Sequence, residues 1–388
     1  MNQIDHSFIV LFLINFCISL GLSVFNTYFS AYLYSEGVQG LLFAVTVGSY
    51  AITKVFINPL AGFLYDRFDG RFLLVSSVAF FVFAAFCYMI NTSVHLLVFI
   101  RIIQGVGMAV LQPVLLSLIG QMAPKNKIAL TLSSFDISFY LAGAIGPVIG
   151  GAINDRYTFY GNIFAFFSLC MFSLILSLFY FKNFKELRIS NKGFKIQFHK
   201  ILSLRMTALL AYTFGEYFST SILFVFMPIL LLKNLQFSGF NTGIIMSMSA
   251  FVMIVFLIPM GRFADKHNRF LILTFVGPLF YVLIFAISFI DSFAGVLCLY
   301  LGIGISNSIT RPASSSLLIE EGYKKGMGKS TGAYKSAQNL GYALAPFLGT
   351  FVYSKFGLQN VFIFTGAVGL TTVFIFYICH SKFNLKPR

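Results

Sequence analysis

Twelve apolar runs of about 20–26 residues, parted by short polar breaks, constrain this chain more than any other feature. They cover roughly 8–33, 39–62, 72–92, 95–119, 128–152, 160–181, 206–232, 239–260, 270–290, 293–318, 331–353 and 360–380. A helix rises ~1.5 Å per residue, so each run can cross a hydrocarbon core of ~30 Å. Oil offers no partner for a backbone N–H or C=O, so segments of this length are expected as helices. Only 10% of the 388 residues are charged and 58% are hydrophobic, too few charges to cover a soluble fold of this size. Trp is absent, so interfacial aromatic belts fall to the 19 Tyr and 50 Phe.

The net charge of +15 is explained by topology. With the N-terminus in the cytoplasm, 20 of the 27 Lys and Arg fall in inner loops and the C-terminal tail, and only Arg156, Lys233 and Lys355 fall in outer loops. This asymmetry orients a multi-pass protein with both termini cytoplasmic, in a bacterial-type inner membrane. It also removes the reason to expect a nucleic-acid partner. The first run is too long for a signal-peptide core and has no basic leader, so it is read as a retained helix. The polar stretch 182–205 carries seven basic residues and is read as a cytoplasmic linker, able to lie on anionic lipid headgroups. It separates residues 1–181 from 206–388. The five cysteines lie inside apolar runs without ligand spacing and are read as filler, so no metal is expected. No HExxH, GxSxG or P-loop pattern occurs, so neither catalysis nor direct ATP drive is expected, and no cofactor.

A second feature divides the chain in two. Gly62, Asp66, Arg67 and Arg71 sit in GFLYDRFDGR, and Gly261, Asp265, Lys266 and Arg269 sit in GRFADKHNR. The glycines lie 199 residues apart, as do the aspartates. The same offset relates Pro113 to Pro312, Pro147 to Pro346, Gly105 to Gly304 and Gly150 to Gly349. Each charged copy lies between two apolar runs. This predicts an all-α membrane protein of twelve transmembrane helices, in two pseudo-symmetric six-helix bundles related by an axis along the membrane normal.

On these residues the chain resembles the major facilitator superfamily over its whole length, and within it the twelve-helix drug or metabolite:proton antiporters. The loop signature is one family motif, with Asp69 where a glycine is usual and Gly70 next. RIIQGVGMA from Arg101 resembles a second, whose arginine is associated with proton coupling. AGAIGPVIGG at 142–151 resembles the antiporter motif, with Ala142 in place of its leading glycine. The resemblance implies a major facilitator fold, a small-molecule substrate and protons as partners; a monomer is expected.

The motif residues also have a physical reading. Gly143, Gly146, Gly150 and Gly151 let another backbone approach, and Pro147 bends its helix and frees a carbonyl. A sliding gate and ordinary small-residue packing both fit. Asp66 ends the second helix and is expected to accept hydrogen bonds from the start of the eleventh, near Ser330 and Thr331; a plain positive-inside anchor is the alternative.

Ionisable groups at membrane depth are costly and therefore functional candidates. Glu216 lies eleven residues past Arg205, about 16 Å along its helix, and is the first candidate proton carrier. A structural Glu bonded to Tyr212 or Thr220 is the alternative. Asp136 shares a face with Tyr140, Gly143 and Pro147 and is the second candidate, or an ion-pair partner of Lys54. Arg101, with Gln104, Met108 and Gln112 on its face, is read as holding a substrate carboxylate or tuning an acid, against snorkelling outward. Arg311, beside Pro312 and on a stripe with Asn307, and Lys335, one turn before Asn339, are placed nearer the inner surface. Asn15, Ser19 and Asn26 stripe the first helix, and Tyr50, Lys54 and Asn58 the second, as cavity lining. Four cations against two carboxylates at depth favour an anionic or zwitterionic guest. The expected task is proton-coupled export of a small drug-like molecule or anionic metabolite, such as a carboxylate-rich chelator. The alternatives are a proton-coupled importer of an organic anion, a non-transporting receptor and a membrane enzyme.

Overall fold

The computed structural model describes residues 3–90, 93–123, 128–183 and 203–384. Among these the chain is helical, with no strand. The helices are α1 (Gln3–Ser35), α2 (Gly40–Arg67), α3 (Gly70–Ile90), α4 (Val94–Met122), α5 (Ile128–Asn183), α6 (Leu204–Ile229), α7 (Gly239–Lys266), α8 (Arg269–Phe275), α9 (Gly277–Ala286), α10 (Phe293–Lys325), α11 (Met327–Phe356) and α12 (Leu358–Asn384). A π-helical turn, Leu230–Asn234, follows α6, and a 3₁₀ turn, Ile287–Phe289, follows α9.

Three features map these helices onto the twelve expected spans. The fifth and sixth spans form one run, α5, broken only at Thr158, whose φ of 57° and ψ of −168° lie in a region that glycine usually occupies. The turn is tight: a Cβ on Gly161 would sit 2.7 Å from Tyr157 Cβ. The ninth span is α8, α9 and the 3₁₀ turn together. Among the described residues, ten helical segments are long and apolar enough to span a membrane, one of them Ser134–Lys182 with 49 residues. The eleventh span, α11, is not one of the ten, because Lys329, Ser330, Lys335, Gln338 and Asn339 dilute its apolar content. Large apolar side chains such as Phe83, Phe99, Phe164, Phe351 and Phe374 are exposed, as lipid-facing helices require.

The chain forms two compact units. One holds Met1–Lys192 with Leu231–Ser247; the other holds Gly193–Leu230 with Met248–Arg388. In the first, α1 packs along α5, and α4 lies between α2 and α3. In the second, α6 packs on α11 and α12, and α12 on α9.

The 199-residue offset survives as repeated geometry. A Cβ on Gly105 of α4 would meet Thr53 Cβ at 2.8 Å and the Tyr50 carbonyl at 2.9 Å. A Cβ on Gly304 of α10 would meet Val252 Cβ at 2.8 Å and the Ser249 carbonyl at 3.1 Å. Residues 50 and 53 become 249 and 252 under the same shift, so both units seat one helix against another at a bare glycine. The loops repeat too. Asp69 Oδ1 accepts from the Arg71 backbone N–H at 2.8 Å, and Asn268 Oδ1 accepts from that of Phe270 at 3.0 Å. Each is a helix cap, and 69 becomes 268 under the shift.

Candidate functional site

Polar chemistry is buried in each unit. In the second, α6 carries Glu216 and α10 carries Arg311, both far from their helix ends. Arg311 Nε donates to Glu216 Oε1 at 2.9 Å, and Nη1 donates to Met253 Sδ at 3.6 Å. Glu216 is 2% exposed and the Arg311 side chain 23%. Glu216 Oε2 is buried and has no hydrogen-bond partner among the described residues. The neighbours expected from sequence are replaced: Thr220 Oγ1 bonds the Glu216 backbone carbonyl at 2.8 Å rather than its carboxylate, and the ionic partner is Arg311. Arg311, expected nearer the inner surface, pairs with Glu216. Two unpaired charges there would each carry a desolvation cost that the contact offsets. The Tyr217 ring lies 5.8 Å from its guanidinium, and Tyr212, Tyr281 and Tyr334 lie within electrostatic range of Glu216.

In the first unit, Arg101 of α4 is 4% exposed and does not snorkel. Its Nη1 donates to Asn26 Oδ1 at 2.7 Å and to Gln104 Oε1 at 3.0 Å. Its guanidinium lies 3.8 Å from the Phe29 ring centre. Tyr88 OH donates to the same Gln104 oxygen at 3.3 Å. No carboxylate among the described residues lies within ion-pair distance of Arg101, so its charge is met by neutral oxygens and an aromatic face. This buried cation is suited to an anion or to an acid that comes and goes.

The structure brings Asn26, Gln104 and Tyr50 to Arg101; the Tyr50 ring lies 5.8 Å from its guanidinium. Lys54 Nζ stands 5.2 Å from the same ring. Asn15 is locked in packing, its Nδ2 donating to Ser138 Oγ at 2.6 Å between α1 and α5. Gln112 and Tyr140 are half-buried, and Asp136 is exposed on α5. In the second unit Asn307 is buried with Oδ1 unpartnered, Asn339 is half-buried and Lys335 is exposed.

The loop signatures are partly described. Gly62 and Asp66 lie in α2 and Asp265 in α7, while the surroundings of Gly62 and the side chains of both aspartates lie outside what the structure describes. Gly261 is half-buried, with nothing within 4 Å of an added Cβ. Arg67 and Lys266 are exposed. Arg71 pairs with Asp69 at 2.6 Å, so the residue standing in for the usual glycine both caps α3 and binds the arginine. Arg269 pairs with Glu320 of α10.

The glycine motif of α5 makes close contacts, while its first glycine, Gly143, is half-buried. A Cβ on Gly146 would sit 2.5 Å from Ser23 Cβ, and one on Gly150 would sit 2.9 Å from the Val24 carbonyl, both in α1. One on Gly151 would strike the Gly239 backbone, and one on Gly243 the Pro147 carbonyl. Tyr28 OH lies 2.8 Å from the Pro147 carbonyl oxygen and 2.9 Å from that of Gly239, donating between them. Sequence reasoning missed one residue here. Asp155 Oδ1 accepts from Gly239 N–H at 2.6 Å and its Oδ2 from Phe240 N–H at 2.8 Å, closing the start of α7. The signal was an acid eight residues past Pro147, with Ser238 and Gly239 opening a later span.

Against known families, the profile described as the Major Facilitator Superfamily matches residues 11–346 and 209–387. The chain belongs to the Major Facilitator Superfamily. It is a transporter, not an enzyme. Among superfamily relatives, an uncharacterised MFS-type transporter of Methanocaldococcus jannaschii is 21% identical over 97% of this chain and 99% of its own length. Multidrug resistance protein 1 of Bacillus subtilis is 22% identical over 75% of this chain and 76% of its own. The crystal structure of a bacterial homologue of the human lysosomal transporter Spinster superposes with a TM-score of 0.80 at 13% identity, covering 100% of both chains. At that identity it speaks for the superfamily fold alone.

Proposed function

We propose that this chain exports a small organic molecule in exchange for protons, by alternating access of two six-helix bundles, 1–181 and 206–388, joined by the linker 182–205. The bundles span a cytoplasmic membrane with both termini inside, and one chain suffices. The observation that carries the reading is the buried Glu216–Arg311 pair. A proton arriving on Glu216 cancels its charge and releases Arg311, and a released guanidinium is a site for an anionic guest. Binding the proton and the guest in different states biases the inward–outward equilibrium by their difference in affinity. Arg101, buried without a carboxylate partner among the described residues, adds a second cation in the other unit and inclines the reading to anionic metabolites. The similarity to a multidrug resistance protein supports export. Asp136 is the second proton carrier, and Asp66 the inner latch.

The test uses purified protein in proteoliposomes under an imposed pH gradient, with citrate as the carboxylate-rich probe and ethidium as the drug-like one. Glu216→Gln is expected to abolish gradient-driven uphill movement of the accepted probe while leaving probe-for-probe exchange intact. Full coupling in that variant discards Glu216 as carrier. Movement of ethidium but not citrate discards the anionic preference.

A further inference from the structure

Beneath the Glu216–Arg311 pair, the second unit is built in levels. On α6, Glu216, Thr213, Leu209 and Met206 are spaced by three and four residues and share one face. On α10, Arg311, Ser314, Leu317 and Glu321 do the same, and α11 presents Ser330 and Tyr334. The first level is the ion pair itself. The second is a hydroxyl cluster: Tyr334 OH and Ser314 Oγ are 3.0 Å apart, and Thr213 Oγ1 faces Tyr334 just outside hydrogen-bond geometry. The third is apolar, with Met206, Leu209 and the Tyr334 ring packed against Leu210, Leu317, Leu318 and Ala333. The fourth is a cavity of about 480 Å³ whose wall includes Leu209 and Leu317 again, with Arg205, His267, Glu320 and Glu321. Glu321 is held at its rim by Ser203 Oγ, 3.0 Å from Oε2.

Leu209 and Leu317 therefore line the cavity and also belong to the apolar layer that holds the Tyr334 ring. From Leu209 to Glu216 is about 10 Å along α6. A hydroxyl relay needs acceptor atoms not already committed. Glu216 Oε2, Thr213 Oγ1 and Ser330 Oγ are all buried without a hydrogen-bond partner among the described residues. Other groups facing Glu216 would not pass a proton from the cavity. Arg311 carries a fixed charge, Tyr212 and Tyr217 flank Glu216 on its own helix, and Tyr281 of α9, whose hydroxyl is also buried without a partner among the described residues, does not line the cavity.

We propose that Tyr334, with Thr213 and Ser314, is the proton relay between Glu216 and the cavity lined by Arg205, Glu320 and Glu321, and that Leu209 and Leu317 are its barrier. This rests on the reading of Glu216 as proton carrier. A proton leaves a hydronium ion in the cavity as that O–H bond breaks, leaving water. The relay oxygen takes it and releases its own, and an O–H bond forms at Glu216 Oε2. One proton moves, the hydroxyls are regenerated by rotation, and Arg311 loses its anionic partner. The cavity lies at the end of the unit read as cytoplasmic, so the same route run in reverse returns protons to the cell without opening the substrate path.

The test follows the carboxyl C=O stretch of protonated Glu216 by infrared spectroscopy after a pH jump, in purified full-length protein in nanodiscs. Glu216→Gln identifies the band. Tyr334→Phe keeps the ring and removes the hydroxyl. It is expected to slow band appearance about 10-fold or more and to leave the final amplitude unchanged. Thr213→Val, a second variant of equal volume, is expected to slow it as well. Unchanged rates in both variants overturn the relay and leave Glu216 as carrier. No Glu216 band in wild type between about pH 5 and 9 overturns the carrier reading and the relay together.

Discussion

Replacing Arg311 by methionine tests how the second unit tolerates its buried acid. Methionine keeps an unbranched stem near Met253 but removes the donor 2.9 Å from Glu216 Oε1. Glu216 is 2% exposed and its other oxygen already lacks a hydrogen-bond partner among the described residues, so the variant leaves a buried carboxylate without the cation it pairs with. Removing one member of a buried pair costs about 3–5 kcal/mol, most of it the penalty on the charge left behind. Replacing both members by neutral groups of similar volume costs little, within about 1 kcal/mol. Glu216→Gln/Arg311→Met is therefore expected to be more stable than Arg311→Met alone. The double-mutant cycle should return a coupling of about 2–5 kcal/mol. Equilibrium denaturation of the purified protein in detergent micelles at neutral pH measures all four species. Additive effects, or Arg311→Met as stable as the double variant, would refute the view that Arg311 is what makes a charged Glu216 tolerable.

Two further outcomes are expected. Gly105→Ala and Gly304→Ala should each destabilise by about 1–3 kcal/mol through overpacking, and by similar amounts. Gly332→Ala, with nothing within 4 Å of the new methyl, should not, and thermal unfolding of the three variants decides it. Asp155→Asn keeps a cap but loses the charge that closes α7, so exchange protection of the Gly239 and Phe240 amides should fall by about 0.5–2 kcal/mol. Undiminished protection at both amides would show that the carboxylate does not hold that helix end.

The parts of this architecture legible in sequence are those set by periodicity. Apolar run length gave the helices, and the repeat spacing gave Gly105 and Gly304, because a backbone contact depends only on where along each helix the side chain is missing. The Glu216–Arg311 pair was not legible. Its members are 95 residues apart, and their meeting depends on the rotation of α6 and α10 about their own axes, which composition does not fix. Position along the helix could not reveal Arg311's partner, since a long side chain can reach either way from one Cα. Asn15 misled for the same reason: a polar stripe reads alike whether it faces a cavity or, as here, Ser138 on the next helix. Asp155 was hidden because an acid at the end of an apolar run resembles a boundary marker until the helix start that it closes is known.

The matched glycine seats bear on how such a chain can change. The shift that carries Gly105 onto Gly304 carries Arg101 onto Tyr300, Cys17 onto Glu216 and Asp136 onto Lys335. Ancestral copies were thus free to diverge in charge and in hydrogen-bonding groups, down to swapping acid for base, while the joints between their helices kept one gauge. Drift in the lining of one half leaves the mating surfaces of both untouched, so new cargo chemistry can be tried without rebuilding the frame.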